Sequence, residues 1–224
     1  MRDPRYPGHA RAHGPRREFR RPEDDPPGTS RLFVAVPVES SVRAAVGELM
    51  ARLAGPTASI EERAAGQPRW VRVEGLHLTL RFLGATPDVR QIELAAAVEA
   101  AAHGESAFTV ALSGGGAFPN ERYPRVLWLG IAEGAPQLQS LALRLNTELA
   151  GLGWTSDDRP LQAHLTLART DGVPGADDAA RRLIDAARDL RLTWTADRLV
   201  LYKSVLGRGP TRYEVVAEAQ LAVK

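Results

Sequence analysis

His77-Leu78-Thr79-Leu80 recurs unchanged as His164-Leu165-Thr166-Leu167. The copies begin 87 positions apart (164 − 77) in a chain of 224 residues. Side chains of an extended strand alternate between its faces, so residues i and i+2 point the same way. Each copy therefore sets a histidine beside a threonine on one face. Its two leucines go to the other face, where they anchor the strand in a core.

The flanking sequence repeats as well. Leu32-Phe33-Val34-Ala35-Val36 is a short apolar run of buried-strand type, ended by Pro37. Ser40 or Ser41 is placed to cap a helix whose apolar positions are Val42, Val46, Leu49, Met50 and Leu53, stopped by Gly55-Pro56. Residues 56–68 read as loop and Arg69–Val73 as a strand, with a kink at Glu74-Gly75. The first motif strand then runs to Leu83, with a turn over Gly84–Pro87. An Ala-rich helix over 88–103 and a strand over 107–112 follow. The only glycine run, Gly114-Gly115-Gly116, precedes a strand rather than opening a helix, so it reads as a flexible connector and not a phosphate loop.

The same order then recurs. Val126–Ile131 is a strand, and Leu138, Leu141, Leu145, Leu149 and Leu152 mark a helix. The second motif strand leads through a turn at Asp171–Gly175 to a helix carrying Ala180, Leu183, Ile184 and Ala187. Residues 191–203 and 212–221 read as strands joined by the Leu206–Pro210 turn. Pro87 and Pro174 follow their motif histidines at equal distance, and each opens a helix. This is a two-unit internal repeat, with halves at about 31–113 and 125–221. Two such units packed about a pseudo-twofold axis would turn their motif strands toward one cleft.

Bulk properties set the class. Hydrophobic residues make up 44% and charged residues 25%, as in an ordinary soluble domain. No apolar run reaches membrane-spanning length, and the arginines near the N-terminus precede no apolar segment of secretory type. There is no cysteine, hence no disulfide, thiol nucleophile or thiolate metal site. The chain is expected to be a cytoplasmic monomer. Lys+Arg total 29 against 27 Asp+Glu, without the broad basic surplus of a protein gripping long nucleic acid. Residues 1–29, rich in Pro, Gly, Arg and Asp, read as a disordered arm, with His9 and His13 in a solvated tail. Residues 30–224 form a single domain.

Two facing His-Thr pairs imply acid/base chemistry. One neutral imidazole takes a proton from water while the other, as imidazolium, gives one to a leaving oxygen. Histidine serves both ends because its ordinary pKa lies near 6.5. The threonine hydroxyls are neutral donors suited to non-bridging phosphate oxygens. A ribose oxygen leaving phosphorus fits this arrangement, and a 2′,3′-cyclic phosphate is opened by water with one acid and one base. No metal or cofactor is required, and two imidazoles without nearby carboxylates make a poor metal site. The two motifs use two of only five histidines in the chain. His103, beside Gly104, reads as a surface residue at a helix C-terminus.

These motifs resemble those of the two-histidine (2H) phosphoesterase superfamily. Arg31–Val36, Trp70-Val71, His77-Leu78-Thr79-Leu80-Arg81-Phe82-Leu83-Gly84, Phe118-Pro119, Val126-Leu127-Trp128, His164–Arg169, Leu201–Ser204 and Gly209-Pro210 further resemble the RNA 2′,3′-cyclic phosphodiesterases, also called 2′–5′ RNA ligases. The resemblance covers about residues 31–221; the arm at 1–29 departs from it. It implies a bilobal α+β fold, each lobe an antiparallel-rich sheet flanked by helices, with the cleft between lobes. It implies metal-independent hydrolysis of a cyclic phosphate on RNA or a nucleotide to a 2′-phosphate. His77 and His164 would be the acid/base pair, and Thr79, Thr166 and Arg169 the phosphate ligands. Family precedent makes His164 the base and His77 the acid that protonates the 3′ oxygen. Strict alternation, however, sends Arg169 and Phe82 to the leucine face, where Phe82 packs. Ser204 stays open between cleft and plain strand, and Trp70 and Phe118 read as packing before stacking. The alternatives are 2′–5′ ligation by the reverse reaction and a non-catalytic RNA- or nucleotide-binding module.

Overall fold

A computed structural model of the protein describes residues 25–55, 68–155, 160–170, 176–205 and 211–223. The strands are β1 (Thr29–Pro37), β2 (Arg69–Trp70), β3 (His77–Pro87), β4 (Phe108–Phe118), β5 (Val126–Glu133), β6 (His164–Arg169), β7 (Leu192–Ala196), β8 (Arg198–Val205) and β9 (Arg212–Gln220). The helices are α1 (Ser40–Ala54), α2 (Gln91–Ala102), α3 (Ala135–Gly151) and α4 (Ala176–Ala186).

Two antiparallel sheets carry the fold. The first has the order β3-β1-β8-β9 and the second β2-β6-β5-β4-β7. This is the duplicated α+β architecture expected from the repeat, with one motif strand in each sheet. Each sheet also draws on both sequence halves: β4 crosses into the second sheet, and β8 and β9 return to the first. The helices exchange likewise. After β1, α1 packs on α4 and β7; after β5, α3 packs on α2 and β3. The lobes are thus tied together by one continuous core, to which Leu78, Leu80, Leu165 and Leu167 contribute from the motifs. β3 and β6 meet where the lobes join, so the motif strands are neighbours.

Several local expectations are corrected. Helix α1 starts on Glu39 as its N-cap; Ser40 and Ser41 lie inside it, and the Ser41 hydroxyl donates to the Glu39 carboxylate at 3.0 Å. The strand expected over Arg69–Val73 is only Arg69–Trp70, because β2 pairs only with Arg169 and Ala168; Val73–Gly75 forms a 3-10 turn. Gly84–Pro87 is no turn. β3 continues to Pro87, and Gly84, at φ +76°, makes a bulge that leaves Leu83 unpaired. The glycine run is not a connector either but the middle of β4, with Gly114 (φ +67°) at a second bulge. The strand expected over 191–203 breaks at Asp197, where the chain passes from the second sheet to the first. The helix at 88–103 is α2, entered through a 3-10 turn after Pro87. His103 is exposed at its C-terminus, as expected. The arm (save Asp25–Thr29), the loop at 56–68 (save Pro68), the turns at 171–175 and 206–210, and Pro174 lie outside the described residues.

Candidate active site

Both motif strands bury alternate residues, then break step in the same place. From the histidine onward, β3 and β6 share one pattern: half-buried, buried, half-buried, buried, buried, exposed. The break is a bulge at the fourth motif residue. Ala35 pairs with Thr79 but Val34 pairs with Arg81, so Leu80 is skipped. Trp128 pairs with Thr166 but Leu127 pairs with Ala168, so Leu167 is skipped. Side chains of directly paired residues share a face. In β1 the face that carries Phe33, Ala35 and Pro37 therefore carries Phe82, Thr79 and His77 in β3. In β5 the face of Val126, Trp128 and Gly130 carries Arg169, Thr166 and His164 in β6.

Phe82 and Arg169 thus occupy equivalent positions, five residues after their histidines, and both reach the cleft. For Phe82 this overturns the packing read from parity: the side chain is 62% exposed, with its ring 6.0 Å from Phe33. The residue turned inward instead is Arg81, which is buried and donates a hydrogen bond to the Thr155 carbonyl. For Arg169 the bulge supplies the change of face that strict alternation denies. Arg69, paired with Arg169 across β2 and β6, adds a second exposed cation on that side.

Each imidazole is fixed in the same way. The His77 Nδ1–H donates to the Gly75 carbonyl at 2.6 Å, and the His164 Nδ1–H donates to the Gln162 carbonyl at 2.7 Å. A hydrogen bond at one ring nitrogen sets the tautomer and leaves the other, Nε2, with its lone pair for chemistry. Aromatic rings hold the orientation. Phe33 lies 4.7 Å from His77 between ring centres, and Tyr213 meets it edge-on at 5.0 Å. Phe118 meets His164 edge-on at 5.0 Å, with Trp128 at 6.4 Å. Phe118 is thus a packing residue, but packed on the histidine. Trp70 packs against the core. Ser204 pairs with Arg31 and Tyr213 and shares the cleft face with Tyr202, two residues before it. Phe33, Trp128, Tyr202 and Tyr213 are the site residues that sequence reasoning misses. Their one signal in the sequence is a single aromatic in each of β1, β5, β8 and β9, and these rings reach the histidines only after folding.

The electrostatics join the two halves. Burial pushes His77 down to about 4, against the partial offset of the Gly75 carbonyl; the charges of Arg169 and His164 push the same way as burial. His164 is likewise lowered by burial, opposed by the Gln162 carbonyl and reinforced by Arg169. One guanidinium is felt by both imidazoles, and His77 also feels the charge of His164. Burial thus disfavours the imidazolium form of both rings in the ligand-free protein. Among the described residues, no group of three or more His, Cys, Asp or Glu side chains is placed to hold a metal ion, and no helix is long and apolar enough to cross a membrane.

A stability prediction follows from the depressed values. The unfolded chain takes up a proton near 6.5, the folded His77 only near 4. Stability is therefore undiminished above pH 6.5 and is lost as pH falls from 6.5 toward 4. For His77 the total is on the order of a few kcal/mol. His77→Phe should flatten the change in urea midpoint between pH 7 and pH 5. An unchanged pH dependence in this variant would show that the folded ring protonates as readily as a free one.

The sequence of residues 25–208 matches the model of the 2′-5′ RNA ligase superfamily. An RNA 2′,3′-cyclic phosphodiesterase of Geobacillus stearothermophilus is 31% identical over 84% of this chain, which spans 56% of that longer protein. One of Thermotoga maritima is 29% identical over 85% of this chain and 95% of its own length. Among solved structures, a Thermus thermophilus protein superposes with a TM-score of 0.65 at 29% identity, covering 85% of this chain and 97% of that one. Escherichia coli LigT complexed with 3′-AMP gives 0.64 at 27%, covering 87% and 99%. With the duplicated sheets and the paired His-x-Thr strands, these matches place the chain in the 2′-5′ RNA ligase superfamily, a family of two-histidine phosphoesterases.

Proposed function

We propose that the protein hydrolyses 2′,3′-cyclic phosphate ends of RNA or nucleotides to 2′-phosphates, without a metal, as a cytoplasmic monomer. One observation carries the reading. Two imidazoles, each pinned at Nδ1 and each beside a threonine on the same strand face, stand within electrostatic reach of each other and of one arginine. Relatives named RNA 2′,3′-cyclic phosphodiesterase support the substrate class.

In the reaction, a water oxygen bonds to phosphorus while its proton passes to one Nε2. The P–O3′ bond breaks, and O3′ takes a proton from the other imidazole. Thr79 and Thr166 donate to the non-bridging oxygens, and the Arg169 guanidinium balances the charge that builds there. Family precedent makes His164 the base and His77 the acid. Burial keeps His77 neutral in the free protein, so on this assignment its proton arrives with the substrate. An anionic phosphate beside the ring offsets Arg169 and favours imidazolium. Phe82, exposed beside Phe33, offers a face on which the base of the terminal nucleotide stacks. Ligation to a 2′–5′ bond opens the same cyclic phosphate with a nucleoside 5′-hydroxyl in the place of water, and is the reverse of cleaving a 2′–5′ bond to a cyclic phosphate.

The expected result is full hydrolysis of a nucleoside 2′,3′-cyclic phosphate in excess chelator. Activity lost with chelator and restored by one added metal would contradict the mechanism.

A further inference from the structure

The cleft face continues beyond His164. Past the Trp128 ring it opens into a recess of about 570 Å³ floored by Gly116 and rimmed by Arg122 and Tyr123. That volume lies within the roughly 300–1,000 Å³ of small-ligand sites. Neither histidine lines it; the Trp128 ring joins it to His164, 6.4 Å away between ring centres. Gly116 lets Trp128 lie flat against β4, since a Cβ there would stand 2.4 Å from the indole. The rim is built rather than loose. The Asn120 side-chain oxygen accepts from the backbone N–H groups of Arg122 and Tyr123 at 3.1 and 3.0 Å, and the Arg125 N–H donates to the Phe118 carbonyl at 2.6 Å. Tyr123 is 51% exposed, with the Arg122 guanidinium 5.6 Å from its ring centre. Glu121 shares the rim, so Arg122 is the group there that favours an anion.

A tryptophan wall, an exposed tyrosine and an arginine are the groups that hold a base and its phosphate in single-stranded nucleic acid. Phe82 offers a first base platform on the other sheet, beside His77. The nucleoside that bears the reacting phosphate cannot lie on both. Resting on the hydrolase reading above, we propose that the Trp128–Tyr123 recess is a second nucleoside subsite. The preferred substrate is then an RNA of two or more nucleosides, not a free cyclic mononucleotide. The second base stacks against Tyr123 and Trp128, and Arg122 pairs with the phosphodiester beside it.

The test compares a dinucleotide ending in a 2′,3′-cyclic phosphate with the matching cyclic mononucleotide, by kcat/KM. In parallel, equilibrium binding compares the dinucleotide and mononucleotide 2′-phosphates. One base stack predicts a wild-type preference for the dinucleotide of about tenfold in both arms. Tyr123→Ala should bring that preference close to one, Arg122→Ala should reduce it, and Phe82→Ala should weaken both ligands alike. Equal handling of the two lengths by the wild type, or a preference that survives in Tyr123→Ala, overturns the subsite. A binding preference lost in Tyr123→Ala, in a protein that hydrolyses neither substrate, would uphold the subsite and sink the hydrolase reading.

Discussion

Alanine in place of His77 or of His164 is expected to cut turnover of a 2′,3′-cyclic nucleotide by at least about 10²–10⁴-fold, the usual worth of one positioned acid or base. The reaction needs a proton removed at one end and delivered at the other, and each end has one imidazole with a free Nε2. The double variant should be little worse than either single one, because groups that act as a unit are not additive. His77 rests against Phe33 and Tyr213, so its removal also leaves a void. His77→Gln fills most of that volume without an acid/base of useful pKa. It should fold and bind product while remaining inactive. Either single alanine variant turning over at the wild-type rate would refute the pair.

Arg169→Ala is expected to lower kcat/KM by about 10²-fold, the scale of losing one preorganised charge-stabilising donor. A second, independent signature comes with it. The Arg169 charge holds both imidazoles down, so its removal should raise the pKa of each ring. NMR titration of the two histidines reads this directly, as does an acid limb of the pH–rate profile moved to higher pH. Arg169→Lys keeps the charge without the fork and should recover the pKa values more fully than the rate. Histidine titrations unmoved in Arg169→Ala would place the guanidinium outside the site.

Much of this site is legible in the sequence alone. The identical tetrapeptides point to the acid/base pair, and the matching order of elements around them implies two lobes. Period-two alternation puts the threonines beside the histidines and the leucines in the core, and the four leucines are buried. Alternation fails one step later, at Leu80 and Leu167, because a bulge is a property of strand pairing and not of one strand's sequence. Nothing in Leu80-Arg81 announces that the next residue changes face. Parity therefore sends Phe82 inward and cannot deliver the arginine side of the cleft. Glycine misleads for a related reason. Gly84 and Gly114 have the positive φ of turn residues, but here that freedom builds bulges inside strands. The aromatic setting of the imidazoles is hidden too, since Phe33, Tyr202 and Tyr213 converge only when β1, β8 and β9 lie side by side.

The central claim is that two distant imidazoles flank one phosphorus and expel the 3′ oxygen. The most direct measurement is phosphorus NMR of the product formed from an oligonucleotide with a 2′,3′-cyclic phosphate end, in chelator. A 2′-phosphate beside a free 3′-hydroxyl is the predicted product. A 3′-phosphate, or a cyclic end left intact, would contradict the account.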